Sequence, residues 1–446
     1  MSEFQVVYVP IGVPTFHLES AQAEFEKSIA LLKSIEPAVV VPDEMLLSMD
    51  LLCEFLEGRQ PDLIVLSNVT FANAAYAGEV LHRFDCPILL WTLREPVIDG
   101  GRLRLNSLTG AYSAANAISA FRGERFSYVF GSATEEKVVQ KVSAAVAAAR
   151  LCYQMKHLKM ASIGHTPQGF GFGRALDLEL LQTFGVTLES IEARELIDMA
   201  KGYSNEEAAE YFADAKKRIC GLDAIPEQNV LDFARLYKAY REYVTKNGIG
   251  AISSRCWPDF FTAYGTPVCA VLGILNDLNV AASCEADTYG ALSMYMGMQL
   301  SGRPVFFGDP VSMDETENTI TYWHCGMAAC SLAEGNTGAQ AGLHCNRKIG
   351  PTLDFGCRGN DTATVFRVGR KPDGTFRFFV LSGKILDKPK QFTGTSLVVQ
   401  CRSEVSGVIE QSVKAGWEPH FAVIYGDCRK KLYCLSEFMG IELCEY

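Results

Sequence analysis

FQVVYVPIG (4–12) decides the fold class, because it is a short and almost wholly apolar run of strand length. A helical stretch follows it at residues 17–36. Similar runs recur, with helical stretches between them, at VVVP (39–42), LIVLS (63–67), PILLW (87–91) and SYVFG (127–131). Short apolar strands that alternate with helices are typical of a parallel sheet covered on both faces. Residues 1–158 are therefore predicted to form a doubly wound α/β domain.

A second α/β domain is predicted over residues 159–310. It opens with the strand KMASIGH (159–165), which leads into the glycine-rich loop GFGFG (169–173). A later strand, GIGAISS (248–254), precedes the helical stretches 268–280 and 285–302. The last helix is predicted to end at Gly302 and Pro304, a common helix stop.

The pattern changes after about residue 310, where short strands are joined by glycine-rich turns. The strands are TITYWH (319–324), TATVFRVG (362–369), GTFRFFVLSGKIL (374–386) and TSLVVQC (395–401). This pattern predicts a mainly antiparallel β domain over residues 311–446. The predicted fold class is thus α/β, with two doubly wound parallel-sheet domains followed by a mainly antiparallel β C-terminal domain.

Composition limits the partners that the chain can have. Its 446 residues are 48% hydrophobic and 21% charged, which is ordinary for a globular protein with several cores. Acidic residues number 52 against 41 basic ones, giving a net charge of −11. A surface that binds phosphates needs clustered Lys and Arg, so we expect neither nucleic acid nor an anionic membrane as a partner.

The compartment is predicted from the N-terminus and the cysteines. The start MSEFQVVYVPIG has no basic segment of a signal peptide, and no apolar run reaches the ~18 residues of a membrane span. The 15 cysteines are scattered and form no CxxC pair. Reduced thiols in a cytoplasmic protein are therefore expected.

Two carboxylates stand at predicted element boundaries. Glu285 lies where a strand gives way to a helix, and Asp309 follows the short strand of PVFFGDP (304–310), 309 − 285 = 24 residues later. Ligands gather at the carboxyl ends of parallel strands, so adjacent parallel strands would bring both carboxylates to one edge. Each also has a structural interpretation, Glu285 as a helix N-terminal acid and Asp309 as a turn residue before proline.

Two histidines stand in comparable places. His324 ends the strand of TYWHCG (321–326), and His420 begins that of WEPHFAVIYGD (417–427), although either could be structural. Two carboxylates with one or two imidazoles form a site for Mn²⁺, Mg²⁺, Co²⁺ or Zn²⁺. No pair has the tight helical spacing of a zinc motif, so spacing alone indicates such a site only weakly.

Other polar and aromatic residues point to a sugar rather than a nucleotide. The GFGFG loop, with Gly169 and Phe170, is not a dinucleotide fingerprint and lacks a phosphate-binding lysine. Arg255 and Trp257 follow a predicted strand, and an indole beside polar groups suits a sugar face. Trp257 suits a hydrophobic core equally well.

Together these segments resemble the L-fucose isomerase and L-arabinose isomerase superfamily, most strongly in the last two thirds of the chain. The resemblance rests on the GFGFG loop and on RCWPDF (255–260), CEADTYGALSM (284–294), FGDP (307–310) and PHFAVIYGD (419–427). It implies that Glu285, Asp309 and His420 bind a divalent cation, Mn²⁺ or else Co²⁺ or Mg²⁺. Asp309 is similar to the second carboxylate of the fucose branch, and His324 to a further histidine of the arabinose branch.

The implied activity is that of an intramolecular oxidoreductase of carbohydrate metabolism. It is a metal-dependent aldose–ketose isomerase that acts on an open-chain monosaccharide by enediol proton transfer. Glu285 and Asp309 would share the acid and base work, while Arg255, Trp257, His324, Gly169 and Phe170 would bind the sugar. The family also implies a homo-oligomer, with a hexamer and shared active sites as the expected form.

Three alternatives remain open at the level of sequence. A non-catalytic sugar-binding or regulatory protein on the same scaffold would not need the metal ligands together. A metal hydrolase would need a hydrolase motif, and none is found. A sulfoquinovose-type isomerase is a substrate variant, in which an anionic hexose would need positive side chains such as Arg255 or Arg347.

Overall fold

The first α/β segment forms a parallel four-stranded sheet in the computed structural model, which describes residues 3–446. The strands lie in the order β1–β2–β3–β4, and the first three are buried along their whole length. The elements are β1 (Val6–Ile11), α1 (Leu18–Ile35), α2 (Met49–Leu56), β2 (Leu63–Asn68), α3 (Ala74–Arg83), β3 (Ile88–Thr92), α4 (Ser107–Arg122), β4 (Ser127–Phe130) and α5 (Glu136–Lys156).

One predicted strand of this sheet is absent. VVVP (39–42) forms only an isolated bridge between Val40 and Val7, beside β1. The run is short and is followed by Pro42 and Asp43, and a proline cannot donate to a strand ladder. The prediction of a strand there was therefore wrong, although the segment does lie along the edge of the sheet.

The second α/β segment forms another parallel sheet, with the order β6–β5–β7–β8. Strand order reverses beside β5, and ligands of such sheets bind outside the carboxyl ends of the strands near this reversal. The elements are β5 (Lys159–Ile163), α6 (Asp177–Phe184), β6 (Thr187–Ile191), α7 (Ala193–Gly202), α8 (Ala209–Arg218), α9 (Glu227–Asn247), β7 (Ala251–Ser254), α10 (Cys269–Asp277), β8 (Ala281–Ser283) and α11 (Thr288–Ser301).

The C-terminal region is an antiparallel β barrel. Six strands close in the order β16–β10–β9–β17–β14–β15, because β15 also pairs with β16. Two further strands, β13 and β18, add in parallel to β16 and β15. The elements are β9 (Phe306–Asp314), β10 (Thr319–His324), β11 (Ala341–Gly342), β12 (Thr352–Leu353), β13 (Phe355–Gly356), β14 (Asp361–Arg370), β15 (Phe376–Leu386), β16 (Thr395–Cys401), α12 (Val405–Lys414), β17 (Phe421–Tyr425), α13 (Arg429–Met439) and β18 (Glu442–Glu445).

The mixed α/β architecture with parallel sheets and an antiparallel C-terminal region agrees with the predicted fold class. Backbone contacts divide the chain into two compact units. One combines the residues before Met155 with Lys430–Ile441, and the other combines Met155–Arg429 with Glu442–Tyr446. The division into three domains stays a prediction.

Helix α11 positions the residues discussed below. It is buried almost throughout, and it contacts β7 and β8 of the second sheet as well as β9, β14 and β17 of the barrel. Its N-terminus therefore lies where the carboxyl ends of parallel strands meet barrel strands. Among residues 3–446, no helix is long and apolar enough to cross a bilayer.

Candidate metal and isomerase site

Glu285 lies in a strained turn between β8 and α11. Its φ is 59°, and that of Ala286 is 53°, so two successive residues with side chains adopt the left-handed region. Non-glycine residues in this region are uncommon and cluster at functional sites, because the surrounding structure must hold them there. The Ala286 N–H donates to the carbonyl of Ser254 at 3.0 Å, which fixes the turn against the end of β7.

Asp309 reaches the site by a different route from the predicted one. It lies within β9, which is an antiparallel barrel strand between β10 and β17, and not on a parallel strand adjacent to β8. The expectation of two adjacent parallel strands was therefore wrong, because the strand PVFFGDP joins the barrel. Asp309 nevertheless lies at the same site as Glu285, because both carboxylates lie beside His420 Nε2.

His420 joins the two carboxylates. It immediately precedes β17 and has a side chain only 1% exposed. Its Nε2 atom lies 3.0 Å from Glu285 Oε2 and 3.4 Å from Asp309 Oδ1. The three residues expected to bind the cation therefore converge through one imidazole nitrogen.

Asp287 holds the other side of the same ring. Its Oδ2 atom lies 2.9 Å from His420 Nδ1, so the carboxylate accepts the Nδ1 proton. The guanidinium of Arg367 donates to Asp287 Oδ1 at 3.1 Å, and both side chains are fully buried. A histidine that donates one ring N–H to a carboxylate presents its other nitrogen in a fixed direction, which is the usual arrangement around metal-binding imidazoles.

His324 contributes a second imidazole from the end of β10. Its Nδ1 atom accepts the Cys325 N–H at 2.9 Å, so the neutral ring carries its proton on Nε2. Among residues 3–446, this buried Nε2 has no hydrogen-bond partner. A buried unpartnered donor of this kind needs an acceptor that binds there, such as a sugar oxygen.

The charges of the cluster are strongly coupled. Burial raises the pKa of Asp309 to about 6, with a further upward contribution from the charges of Glu285 and Asp287. Burial alone would lower the pKa of His420, but hydrogen bonds to Asp287 and Glu285 raise it to about 9. Burial lowers the pKa of His324 to about 4, so its ring stays neutral.

The donor set fits a divalent cation of borderline hardness. Glu285, His324 and His420 each place a ligand atom within 4.8 Å of the others, and Asp309 adds an oxygen beside His420. Carboxylate oxygens with imidazole nitrogen suit Mn²⁺ and Co²⁺, and Mg²⁺ less well. A bound cation would take the place of the proton on His420 Nε2.

Aromatic rings form one wall of this site. Trp257 Nε1 donates to Glu285 Oε1 at 3.0 Å, which answers the question of whether this indole serves the core or the site. The ring centroid of Phe170 lies 6.0 Å from that of Trp257 and 6.4 Å from that of His420. Gly169 is exposed beside Phe170, in the loop that precedes a short 3₁₀ turn at Gly171–Gly173.

Arg255 lies at the edge of this wall, but its charge is already partnered. Its Nε atom lies 2.6 Å from Asp259 Oδ2, and it also donates to the Trp257 carbonyl. Arg347 differs, because it is exposed and lies over the Phe261 ring at 5.7 Å. Among residues 3–446, no carboxylate lies within 4.0 Å of its guanidinium.

Comparison with known proteins places the chain in a family. The chain is 64% identical over 442 residues to a sulfoquinovose isomerase of Clostridium sp. (strain MSTE9), an alignment that covers 99% of both chains. It is 35% identical to a sulfoquinovose isomerase of Priestia aryabhattai over 100% of both chains. A sulfoquinovose isomerase of Alkalicoccus urumqiensis is 33% identical over 99% of both. The chain belongs to the sulfoquinovose isomerase family. No protein-family model matches it.

Membership in this family makes the chain an isomerase, specifically an enzyme that interconverts an aldose and a ketose. The prediction of an enzyme of this type is confirmed, and the non-catalytic and hydrolase alternatives are not supported. The names of the relatives agree with the substrate variant that carries an anionic group. Resemblance to the L-fucose and L-arabinose isomerases stays a prediction, as do the oligomer and the cytoplasmic location.

Sequence reasoning missed the buried pair of Asp287 and Arg367. Asp287 lies inside the CEAD motif (284–287), two residues after the predicted ligand Glu285. Arg367 is the one charged residue of the apolar run TATVFRVG. A lone arginine in a buried strand needs a buried carboxylate, so this run indicates a buried acid elsewhere in the chain without saying which one.

Proposed function

We propose that this enzyme converts sulfoquinovose to the corresponding 2-ketose and needs a divalent cation for the reaction. The observation that carries the proposal is the position of His420 Nε2, which faces the carboxylates of Glu285 and Asp309 while Asp287 holds Nδ1. The substrate comes from the relatives, because the full-length relatives at 64%, 35% and 33% identity all bear the name sulfoquinovose isomerase.

Aldose–ketose isomerisation moves a proton between C2 and C1 and another between O2 and O1. A divalent cation held by Glu285, Asp309 and His420 supplies Lewis-acid polarisation of the carbonyl oxygen. Asp309 suits the carbon-proton transfer by its position, since its carboxylate lies beside His420 Nε2 and a positioned carboxylate can take and return a proton. Glu285 is held by Trp257 and His420, and it shares the acid and base work with Asp309.

The neutral His324 suits an oxygen of the open-chain sugar. Its Nε2–H is buried and unpartnered, so a carbonyl or hydroxyl oxygen that accepts this proton removes an unfavourable orphan donor. The rings of Trp257, Phe170 and Phe172 cover the apolar side of the site. The sulfonate of the substrate needs a positive side chain, and Arg347 is the better candidate, because Arg255 is paired with Asp259 whereas Arg347 has no carboxylate within 4.0 Å among residues 3–446.

The experiment is an isomerisation assay followed by NMR in D₂O. Protein stripped with EDTA would be given Mn²⁺, Co²⁺ or Mg²⁺ and offered sulfoquinovose, D-glucose, L-fucose or L-arabinose. We expect ketose formation from sulfoquinovose only when a cation is restored. Undiminished turnover after stripping would contradict the metal requirement, and preference for a neutral aldose would contradict the substrate.

The role of Glu285 is tested by Glu285→Gln. This change keeps the size of the side chain but removes its charge, so turnover should fall by at least about 10³-fold if acid–base and ligand roles are both lost. Glu410→Gln is the matched control, because this exposed glutamate pairs with Lys414 on the surface of α12. Substantial activity in a folded Glu285→Gln protein would contradict the assignment.

A further inference from the structure

A second cluster of ligand atoms lies beyond the residues assigned to the reaction. Cys325, His344 and Cys345 each place one ligand atom within 4.8 Å of the other two. Cys325 follows β10 directly, and the other two lie in the loop between β11 and β12. The cluster shares no member with Glu285, Asp309, His324 and His420, and it contains sulfur where that site contains oxygen.

His344 and Cys345 are neighbours in this loop, and their ligand atoms lie close together. His344 is 5% exposed, and its ring meets the edge of the Phe261 ring with centroids 4.9 Å apart. Its Nδ1 atom lies 4.0 Å from Cys345 Sγ. The only backbone donors near Nδ1 in the described chain are the N–H groups of Asn346 and Arg347, both at a long 3.3 Å.

The distances between the ligand atoms of Cys325, His344 and Cys345 are close to those of a tetrahedral metal centre. With metal–sulfur bonds of about 2.3 Å and metal–nitrogen bonds of about 2.05 Å, ligand atoms of a tetrahedral site lie roughly 3.6 to 3.8 Å apart. The Nδ1 to Sγ distance of 4.0 Å exceeds this range by a few tenths of an ångström. A small inward movement of the loop would bring the ligand atoms to tetrahedral distances. It would weaken the two hydrogen bonds from the Asn346 and Arg347 N–H groups to His344 Nδ1, which are already long.

We propose that Cys325, His344 and Cys345 form a second metal site, which takes a thiophilic cation of the Zn²⁺ class. Thiolate ligands select Zn²⁺, Cd²⁺ or Cu⁺ over Mn²⁺ and Mg²⁺, whereas carboxylates do the reverse. The cysteine cluster is therefore expected to bind softer cations than the cluster of Glu285, Asp309 and His420. Binding at the second site displaces the protons of both thiols, and it ties the loop that carries Arg347 to the end of β10.

The experiment uses Co²⁺ as a spectroscopic probe on the reduced, metal-stripped full chain. The isomerase site is first filled with Mn²⁺, and Co²⁺ is then added without oxygen. We expect a thiolate-to-cobalt charge-transfer band that saturates at one equivalent and is removed by added Zn²⁺. Only sulfur ligands produce this band, so Co²⁺ at Glu285, Asp309 and His420 does not contribute to it.

Cysteine variants identify the thiols that produce the charge-transfer band. Cys345→Ser and Cys325→Ser should each abolish it, whereas Cys220→Ser should keep it, because Cys220 is the exposed thiol that a non-specific thiophilic ion would prefer. If a serine variant does not fold, alkylation of the wild-type protein replaces it. Zn²⁺ should then protect Cys325 and Cys345 from iodoacetamide, as measured by peptide mass spectrometry.

Three results would overturn the proposal. The first is the absence of any charge-transfer band in the wild-type protein. The second is a band, or protection from alkylation, that depends on Cys220 rather than on Cys345. The third is a Cys325–Cys345 disulfide in enzyme purified without reductant that does not bind Co²⁺ after reduction.

Discussion

The buried carboxylate of Asp287 makes three contacts. It accepts the Gly290 N–H at 2.8 Å as the N-cap of α11, it pairs with Arg367, and it holds His420 Nδ1. Asp287→Asn keeps the shape and the cap but removes the charge. We expect the affinity for Mn²⁺ to fall about 10- to 100-fold, as for other carboxylates that orient a ligating imidazole.

The measurement is Mn²⁺ affinity by electron paramagnetic resonance or calorimetry, alongside unfolding by denaturant. Arg367 would also lose its buried partner, so the free energy of unfolding should fall by about 3 to 5 kcal/mol. Asp198→Asn is the matched control, since Asp198 pairs with Arg194 on α7 and both side chains are exposed. Unchanged Mn²⁺ affinity in a less stable Asp287→Asn protein would show that Asp287 is structural alone.

At the scale of elements, the GFGFG loop packs against the start of α11. A Cβ atom on Gly173 would lie 2.8 Å from Asp287 Cα, whereas one on Gly171 would meet nothing within 4 Å. Gly173→Ala must therefore displace the loop, which carries Phe170 and Phe172 beside His420. A shift of about 1 Å at such a site can lower kcat/KM by about 10²-fold.

Gly171→Ala is the control for that substitution, because it adds the same methyl group two residues away in open space. Its kcat/KM should stay within about twofold of the wild-type value, whereas Gly173→Ala should lose far more at an equal melting temperature. Equal losses in both variants would mean that the flexibility of the loop matters and that the contact with Asp287 does not.

The elements also show where sequence patterns succeed. The runs at 4–12, 63–67 and 87–91 became β1, β2 and β3, because a buried strand needs only apolar side chains over a few residues. Periodicity cannot say which sheet a strand joins. The pattern of PVFFGDP predicts a further parallel strand, but the segment forms the antiparallel strand β9 of the barrel. Strand pairing depends on contacts with residues far along the chain.

Some residues of the candidate site could be predicted from the sequence, and others could not. Glu285 and Asp309 could be proposed from their places at element boundaries, and His420 from its place before a strand. The buried pair of Asp287 and Arg367 spans 80 residues of sequence, and no local pattern connects them.

The C-terminal elements α13 and β18 were also missed, because KKLYCLSEFM mixes charged, polar and apolar residues over only three turns.

At the scale of the whole molecule, the chain returns to its first compact unit near its end. Residues Lys430–Ile441 belong to that unit, and β17 before them and β18 after them belong to the other. Within the first unit, Glu437 accepts from Lys141 of α5 at 2.8 Å. Leu432, Cys434 and Leu435 of α13 are fully buried. The N-terminal α/β unit therefore depends on side chains that are at least 430 − 130 = 300 residues away in sequence from its last strand, β4.

Leu435→Ala tests this dependence. Removing a fully buried leucine side chain costs about 2 to 5 kcal/mol, and the loss should fall on the unit that α13 completes. Hydrogen exchange followed by mass spectrometry should show faster exchange in peptides from β1 to β4, with those from β14 to β17 unchanged. Val413→Ala is the control, because Val413 on α12 is 71% exposed and its truncation should change neither set. Equal acceleration in both sets would mean that the two units unfold together, and α13 would then stabilise the whole chain rather than the unit whose core it completes.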